Sequence, residues 1–322
     1  MNDWKIYDPK SDPATTKAVL PAPPPWRRPG RAREQVLADT FRPDPEVVDA
    51  VNTALYLRRP LLVTGRPGTG KSALIHSVAR QLGLGPVIEW AINSRSTLQE
   101  GLYQYDALAR LQYVQQAQAR TGAQTAQDEA DELGMFLTLG PLGTALASAG
   151  APRALLVDEI DKSDVDLPND LLNVLDTGHF IIPELKRAAQ RHPVVNIAAR
   201  GDERIAVRHG EVTFTEYPVV VMTSNGERDF PAPFLRRCVQ CQIREPDDKA
   251  LRRIVEAHFG SAPLSPEIGD AIARFVEKRS NATLATDQLL NAVHLLGAHG
   301  DAESLKERQR INGDITYTGL GG

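Results

Sequence analysis

The sequence is short of cysteine and has no long apolar run, and each shortage narrows what it can be. Two cysteines in 322 residues cannot make a disulfide framework. They stand as Cys238-Val239-Gln240-Cys241, with no second pair and no histidine close by, and Val239, Cys241 and Ile243 alternate as a half-buried strand does. That pattern predicts core packing rather than a zinc or redox site. No apolar stretch approaches the roughly 18–20 residues of a membrane span. Met1-Asn2-Asp3-Trp4-Lys5 offers no apolar signal core, which predicts a cytoplasmic protein. A basic excess is missing too: the formal net charge is −4, so there is no electrostatic case for a nucleic-acid binder. The seven histidines show no H-E-x-x-H spacing, and there are no internal repeats. The 42% hydrophobic content supports a proper core, and the length suits two domains or one large domain with a lid.

Against these absences stands Gly65-Arg66-Pro67-Gly68-Thr69-Gly70-Lys71-Ser72, which fits the phosphate-loop pattern G-x-x-x-x-G-K-[ST] at every specified position. Before it, Pro60-Leu61-Leu62-Val63-Thr64 reads as a buried parallel strand. After it, Ala73-Leu74-Ile75-His76-Ser77-Val78-Ala79-Arg80 has apolar residues at helical spacing. The glycines let backbone N–H groups curl around a phosphate chain, and a helix N-terminus adds partial positive charge. The segment from Gly65 to Ala73 is therefore the candidate nucleotide-binding stretch. Lys71 is placed to reach the β- and γ-phosphates, and the Ser72 hydroxyl to ligate Mg²⁺.

Taken in order, residues 1–40 read as a largely disordered arm, with Pro21-Ala22-Pro23-Pro24-Pro25-Trp26 of polyproline character. It is either a plain tail or an arm that docks on a neighbour through Trp4 and Trp26. An ordered α/β core spans 41–245. Asp44 and Pro45 open a helix as N-cap and first helical residue. Further strands are expected at Pro86–Ile92, Ala154–Val157, Pro218–Thr223 and Cys238–Ile243. Residues 98–140 predict a long helical insert, longer than a simple crossover needs. Strand-like segments at His179–Pro183, Val194–Ile197 and Glu211–Phe214 suggest projecting hairpins within 179–215. From Asp247 the pattern changes to three amphipathic helices, roughly Asp247–Phe259, Ser265–Ser280 and Thr286–His299, forming a small helical domain over 246–310. A glycine-rich flexible tail closes the chain at 311–322.

Three more constellations carry chemistry. The apolar run ending in Asp158-Glu159 puts acids at the carboxyl end of a parallel strand, where such sheets bind ligands. Asp158 is placed to hold the Mg²⁺ water shell opposite Ser72, and Glu159 to orient and deprotonate an attacking water. Asn225 follows another strand and is placed to hydrogen-bond that water or the γ-phosphate. Arg236 and Arg237 supply planar, delocalised positive charge suited to a transferring phosphoryl group, and neither obviously reaches its own chain's nucleotide. Asp161, Lys162 and Asp164 read as solvated or interfacial.

Together these parts resemble the AAA+ ATPases, and within them the MoxR-like group. The resemblance covers about 41–300 and rests on Gly65–Ser72 as Walker A, Leu155–Asp161 as Walker B, Asn225 as sensor 1 and Arg237, or its neighbour Arg236, as arginine finger. Gly140-Pro141-Leu142 and Leu171-Leu172-Asn173-Val174-Leu175-Asp176 look MoxR-like as well. Where that group tends to have L-D-R-F, this chain has Leu235-Arg236-Arg237-Cys238, and no arginine stands at Ala285-Thr286-Asp287 for sensor 2. The resemblance implies a P-loop core with a parallel five-stranded sheet and a helical lid. It also implies ATP and Mg²⁺ as cofactors and a homo-oligomeric, hexameric ring with the finger supplied in trans. It implies a chaperone-like or assembly role on a protein client, often with a von Willebrand factor A-domain partner, and chains of this layout also look like the ATPase of bacterial conflict systems. The alternative is a nucleic-acid-translocating motor of a restriction-like system. Lys186, Arg187, Arg191, Arg200, Arg204 and Arg208 give it some charge, but no aromatic residues interleave them. A non-hydrolysing, nucleotide-gated platform fits worst, because Glu159 completes Walker B.

Overall fold

The computed structural model describes residues 22–28, 30–117, 126–148, 150–201, 203–214, 216–260, 266–279 and 285–297. The expectations for Trp4 and residues 1–21, and for the tail at 311–322, lie outside these residues. In chain order, a 3-10 turn at Pro25–Arg27 precedes α1 (Arg31–Thr40) and α2 (Pro45–Leu57). Next come β1 (Leu61–Thr64), α3 (Lys71–Leu82), β2 (Ile88–Ala91), α4 (Leu98–Leu102), β3 (Tyr103–Tyr105), α5 (Ala107–Ala117), α6 (Ala126–Met135), β4 (Leu137–Leu139) and α7 (Pro141–Leu146). β5 (Ala154–Asp158) leads through a 3-10 turn at Ile160–Lys162 to α8 (Leu167–Thr177), β6 (His179–Ile181), α9 (Pro183–Ala188), β7 (Val194–Ala198), β8 (Arg204–Arg208) and β9 (Glu211–Thr213). β10 (Val219–Ser224), α10 (Ala232–Arg237), β11 (Val239–Gln242), α11 (Asp248–Phe259), α12 (Pro266–Arg279) and α13 (Thr286–Gly297) complete the order. No helix among the described residues is long and apolar enough to cross a membrane.

The chain divides into two compact units. One comprises Asp44–Thr64 and Val78–Gln242. It is built on a five-stranded sheet in the order β11-β1-β10-β5-β2, every pair parallel. These strands are nearly continuous apolar runs because both faces of a parallel sheet are covered. Leu61, Leu62, Val63, Leu155, Val157 and Met222 are all buried. The register sets Thr64 beside Ser224 and Met222 beside Val157, so the carboxyl ends of β1, β10 and β5 line one edge. That is the ligand-binding edge of an open α/β sheet. Pro45 opens α2 as expected, but the Asp44 side chain makes no capping bond.

The same unit holds a second sheet, in the order β3-β4-β7-β8-β9-β6. The stretch 98–140, read as a long helical insert, also contributes β3 and β4 to it, paired antiparallel from Tyr103↔Leu139 to Tyr105↔Leu137. The hairpin region adds β6, β7 and β9, together with β8, which the sequence reading did not resolve. Insert and hairpins thus share one sheet. α7 packs against α4 at glycine contacts: a Cβ on Gly143 would overlap the Leu102 carbonyl, and one on Gly140 the carbonyls of Glu100 and Gly101.

The other unit holds the described residues up to Pro43, Gly65–Ser77 and the described residues from Ile243 onward. α11, α12 and α13 bury Leu251, Val255, Ile272, Phe275, Leu289 and Val293 against one another, as their amphipathic spacing predicts. The Asp247 carboxylate caps α11, accepting from the Ala250 N–H at 2.7 Å. Residues 31–40 correct the expectation of a largely disordered arm: they form α1. Arg31-Ala32-Arg33-Glu34-Gln35 and Leu37-Ala38 are good helix formers, outweighing the proline-rich run before them. That run is itself anchored. The indole N–H of Trp26 donates to Asn291 Oδ1 at 3.2 Å, and its ring meets His258, Phe259 and His294 edge-on, each at 5.7 Å.

Candidate nucleotide site

Thr64 ends β1, Gly65 begins the loop and Lys71 begins α3. Gly65, Gly68 and Gly70 have φ of 155°, 75° and 88°. Space demands glycine as well. A Cβ on Gly65 would come within 2.6 Å of the Ile243 carbonyl oxygen, and one on Gly68 would overlap Ala285 at the start of α13. The Lys71 side chain curls back along the loop, its Nζ donating to the carbonyls of Gly65 at 2.8 Å and Arg66 at 2.9 Å, and the residue is buried. Thr69 Oγ1 donates to the Arg66 carbonyl at 2.9 Å. Arg66 reaches outward to Glu245, 2.8 Å away, an exposed pair worth at most about 1 kcal/mol. Ser72 and Ala73 continue in the first turn of α3.

In the sheet unit, the acids sit at the end of β5. Asp158 Oδ1 accepts from the Thr223 hydroxyl at 2.6 Å, and the same hydroxyl oxygen accepts from the Glu159 N–H at 2.9 Å. Glu159 lies in the left-handed region, φ 60° and ψ 46°. Its carboxylate is held at both oxygens: Asn225 Nδ2 donates to Oε1 at 3.3 Å and Lys162 Nζ to Oε2 at 2.8 Å. The bond to Glu159 raises the Lys162 ammonium above its ordinary value. Asn225 is thus brought to Glu159 directly.

Asp161, read as solvated or interfacial, is not solvated. It is 5% exposed, and its Oδ2 accepts from the backbone N–H groups of Asn225 at 2.9 Å and Glu227 at 3.1 Å. Arg228 completes the lock, donating to the carbonyls of Ser163 at 2.8 Å and Asp164 at 3.0 Å. Arg237 donates to Asn173 Oδ1 at 2.9 Å and lies 3.5 Å from Asp176, both on α8 of its own chain. Arg236 is exposed on the same short helix. Cys238 and Cys241 are free and buried; burial pushes both thiols up, Cys238 to about 12.

Comparison with known proteins decides the family. The family described as AAA domain (dynein-related subfamily) matches residues 60–238, more than half of the chain. The chain belongs to this family. No curated protein matches the sequence. Among solved structures, the chain is similar to C. elegans PCH-2, with 14% identity and a TM-score of 0.43, over 88% of this chain and 71% of that one.

For an AAA domain, the residues present fit a nucleotide with Mg²⁺. The phosphate loop has the positive-φ glycines, the lysine and the helix start that an anion cradle needs. Ser72 offers a hydroxyl and Asp158 a carboxylate. The described residues contain no cluster of three or more His, Cys, Asp or Glu that would hold a metal alone. Mg²⁺ keeps waters and phosphate oxygens in its shell and so needs few protein donors. Three residues of this hydrogen-bonded cluster were missed from sequence: Thr223, Asp161 and Arg228. Their roles depend on β5 and β10 being neighbours, and roughly 65 positions separate the partners. The available signal was a hydroxyl residue two places before Asn225 and a second acid two places after Glu159.

Proposed function

We propose that this AAA-domain protein hydrolyses ATP to ADP and phosphate. The observation that carries the reading is the Asn225–Glu159 hydrogen bond between adjacent strand ends, which pairs a candidate base with a polar group able to orient water. As the AAA resemblance implies, Lys71 would reach the β- and γ-phosphates, the Ser72 hydroxyl would ligate Mg²⁺ and Asp158 would hold its water shell. Mg²⁺, when bound, neutralises charge on the phosphate oxygens. Glu159 takes the proton of the water that attacks the γ-phosphorus as the bond to the β–γ bridging oxygen breaks, and Asn225 orients that water. Glu159→Gln is expected to bind ATP with unchanged affinity and to lose turnover by about 100-fold or more. Normal ATP turnover in that variant sinks the assignment.

The finer reading follows the MoxR-like resemblance: a ring, hexameric in that group, with 41–245 as ATPase core and 246–310 as lid. Arg237 or Arg236 is supplied to the neighbour's site. The work is chaperone-like remodelling or assembly of a protein partner, such as a von Willebrand factor A-domain protein, in a bacterial conflict system. Lys186 stands 4.0 Å from Glu211, and Arg187 3.8 Å from Glu184. Acids so close to the basic residues of the hairpin region favour a protein client over nucleic acid. Co-purification with neighbouring gene products from the native host tests the partner. ATPase stimulation by DNA that falls steeply with salt would overturn the protein-client reading.

A further inference from the structure

We propose that Thr223 and Asp161 are positioning residues for hydrolysis, Thr223 setting Asp158 and Glu159 and Asp161 setting Asn225. The inference rests on the ATPase reading above.

β10 lies between β1 and β5 in the sheet. Its register places Met222 opposite Val157, so Thr223, one residue on, reaches the end of β5. A hydroxyl has one donor and two acceptor sites, and Thr223 uses both kinds on consecutive residues. It donates to the carboxylate of Asp158 and accepts from the backbone of Glu159. Thr223 is 1% exposed, so water does not compete for either bond. The second bond falls at the residue whose backbone is left-handed, φ 60°, a conformation an L-residue holds only where surroundings over-determine it. One hydroxyl thereby ties the Asp158 carboxylate and the chain turn at Glu159 to the same point of β10.

Asp161 works in the opposite direction. It leaves the turn after β5 and captures the loop after β10. Its Oδ2 takes the N–H groups of Asn225 and Glu227, while Ser224 Oγ takes that of Gly226 at 3.0 Å. Three successive N–H groups of the loop are satisfied, and the Asn225 side chain is left to meet Glu159. Charge strengthens such bonds relative to neutral acceptors. Neither residue contacts the reacting atoms; both act through groups that do.

The test compares Thr223→Val, Thr223→Ser and Asp161→Asn with Glu159→Gln. Readouts are kcat, KM, affinity for a non-hydrolysable ATP analogue, and melting temperature. Thr223→Val is expected to lower kcat about tenfold or more with analogue affinity within about twofold of wild type, and Thr223→Ser to restore most of it. Asp161→Asn is expected to lower kcat about fivefold, again without loss of analogue affinity. Thr223→Val added to Glu159→Gln should cost little beyond Glu159→Gln alone, because the two act as a unit. If Glu159→Gln turns over normally, the ATPase reading fails and takes this one with it. If Glu159→Gln is dead while Thr223→Val matches wild type, the positioning role alone is overturned. A kcat loss that tracks melting temperature and is not rescued by serine also overturns it. Should Thr223→Val fail to fold, Asp161→Asn decides: reduced kcat at unchanged analogue affinity supports the proposal, and wild-type kcat overturns it.

Discussion

A left-handed backbone costs an L-residue roughly 1–2 kcal/mol, and asparagine bears it better than glutamate. Glu159 holds that conformation, φ 60° and ψ 46°, at the end of β5. Glu159→Asn is therefore expected to keep or slightly raise the melting temperature. Its shorter side chain does not reach the positions that Glu159 shares with Asn225 and Lys162, so turnover should be lost. Stability gained as activity disappears marks strain held for function; a melting temperature that falls by several degrees would show that Glu159 is unstrained. At this scale the sequence was legible wherever role follows from local pattern. Lys71 is marked by its glycines, Asp158 and Glu159 by the apolar run before them, and Asn225 by the strand it ends. Thr223 and Asp161 carry no local mark. Asp161 follows an acidic pair and is itself charged, so it reads as exposed, and its burial depends on a loop 64 residues further along the chain.

The elements divide by length. β5 and β10 are runs of apolar residues with a sharp end, and both are legible as buried strands. β3 and β4 have three residues each, fewer than one period-2 pattern needs to stand out, and β8 has arginine at both ends, whereas β6 and β9, equally short, were legible as strand-like. What makes β3 and β4 strands is tertiary pairing, which propensity does not encode. Packing of α4 against α7 is set by glycines in the same way. A methyl on Gly143 has no room beside the Leu102 carbonyl, and backbone moves less readily than a side chain. Gly143→Ala should destabilise the protein by about 2–3 kcal/mol despite its better helix propensity, read as a lower denaturant midpoint. A neutral or stabilising result would mean that the contact relaxes freely.

The helical unit offers a pH test. Burial lowers the His258 imidazole below its ordinary value of 6.5, with Arg42 adding to the effect and a backbone bond at Ile254 opposing it. The denatured chain therefore takes up this proton first, so His258 erodes stability as pH falls below about 6.5 and has no effect well above it. Trp26 is one of the rings that covers it. Protection in α11 and α13, taken as exchange relative to the intrinsic rate at each pH, is expected to fall between pH 7.5 and pH 5.5, and Trp26→Ala to lower protection at pH 7.5 while flattening that pH response. An unchanged response in Trp26→Ala would remove Trp26 from the cover of His258.

On the scale of the whole molecule, the sequence reading placed residues 1–40 outside the fold because proline dominates their local texture, yet Trp26 is tied by the remote Asn291. Remote pairing also bears on the proposed arginine finger. A finger supplied in trans must leave its own chain and meet a phosphoryl group held by the next. Arg237 is engaged at home by Asn173 and Asp176, whereas Arg236 is exposed beside it. Releasing Arg237 loses a hydrogen bond donated by its charged guanidinium and a half-exposed ion pair, together about 1–3 kcal/mol; extending Arg236 needs no such release. Lys71→Ala removes a chain's own phosphate grip and leaves its arginines intact. Arg236→Ala does the reverse. Each should be inactive alone. Mixed in equal amounts and allowed to exchange subunits, they should form intact sites at about a quarter of head-to-tail interfaces, and turnover should return to about that fraction of wild type. The same mixture with Arg237→Ala separates the two arginines: recovery confined to the Arg236→Ala mixture assigns Arg236, and recovery confined to the Arg237→Ala mixture assigns Arg237. No recovery in either mixture, with exchange verified by labelled chains, would mean that neither arginine acts across an interface.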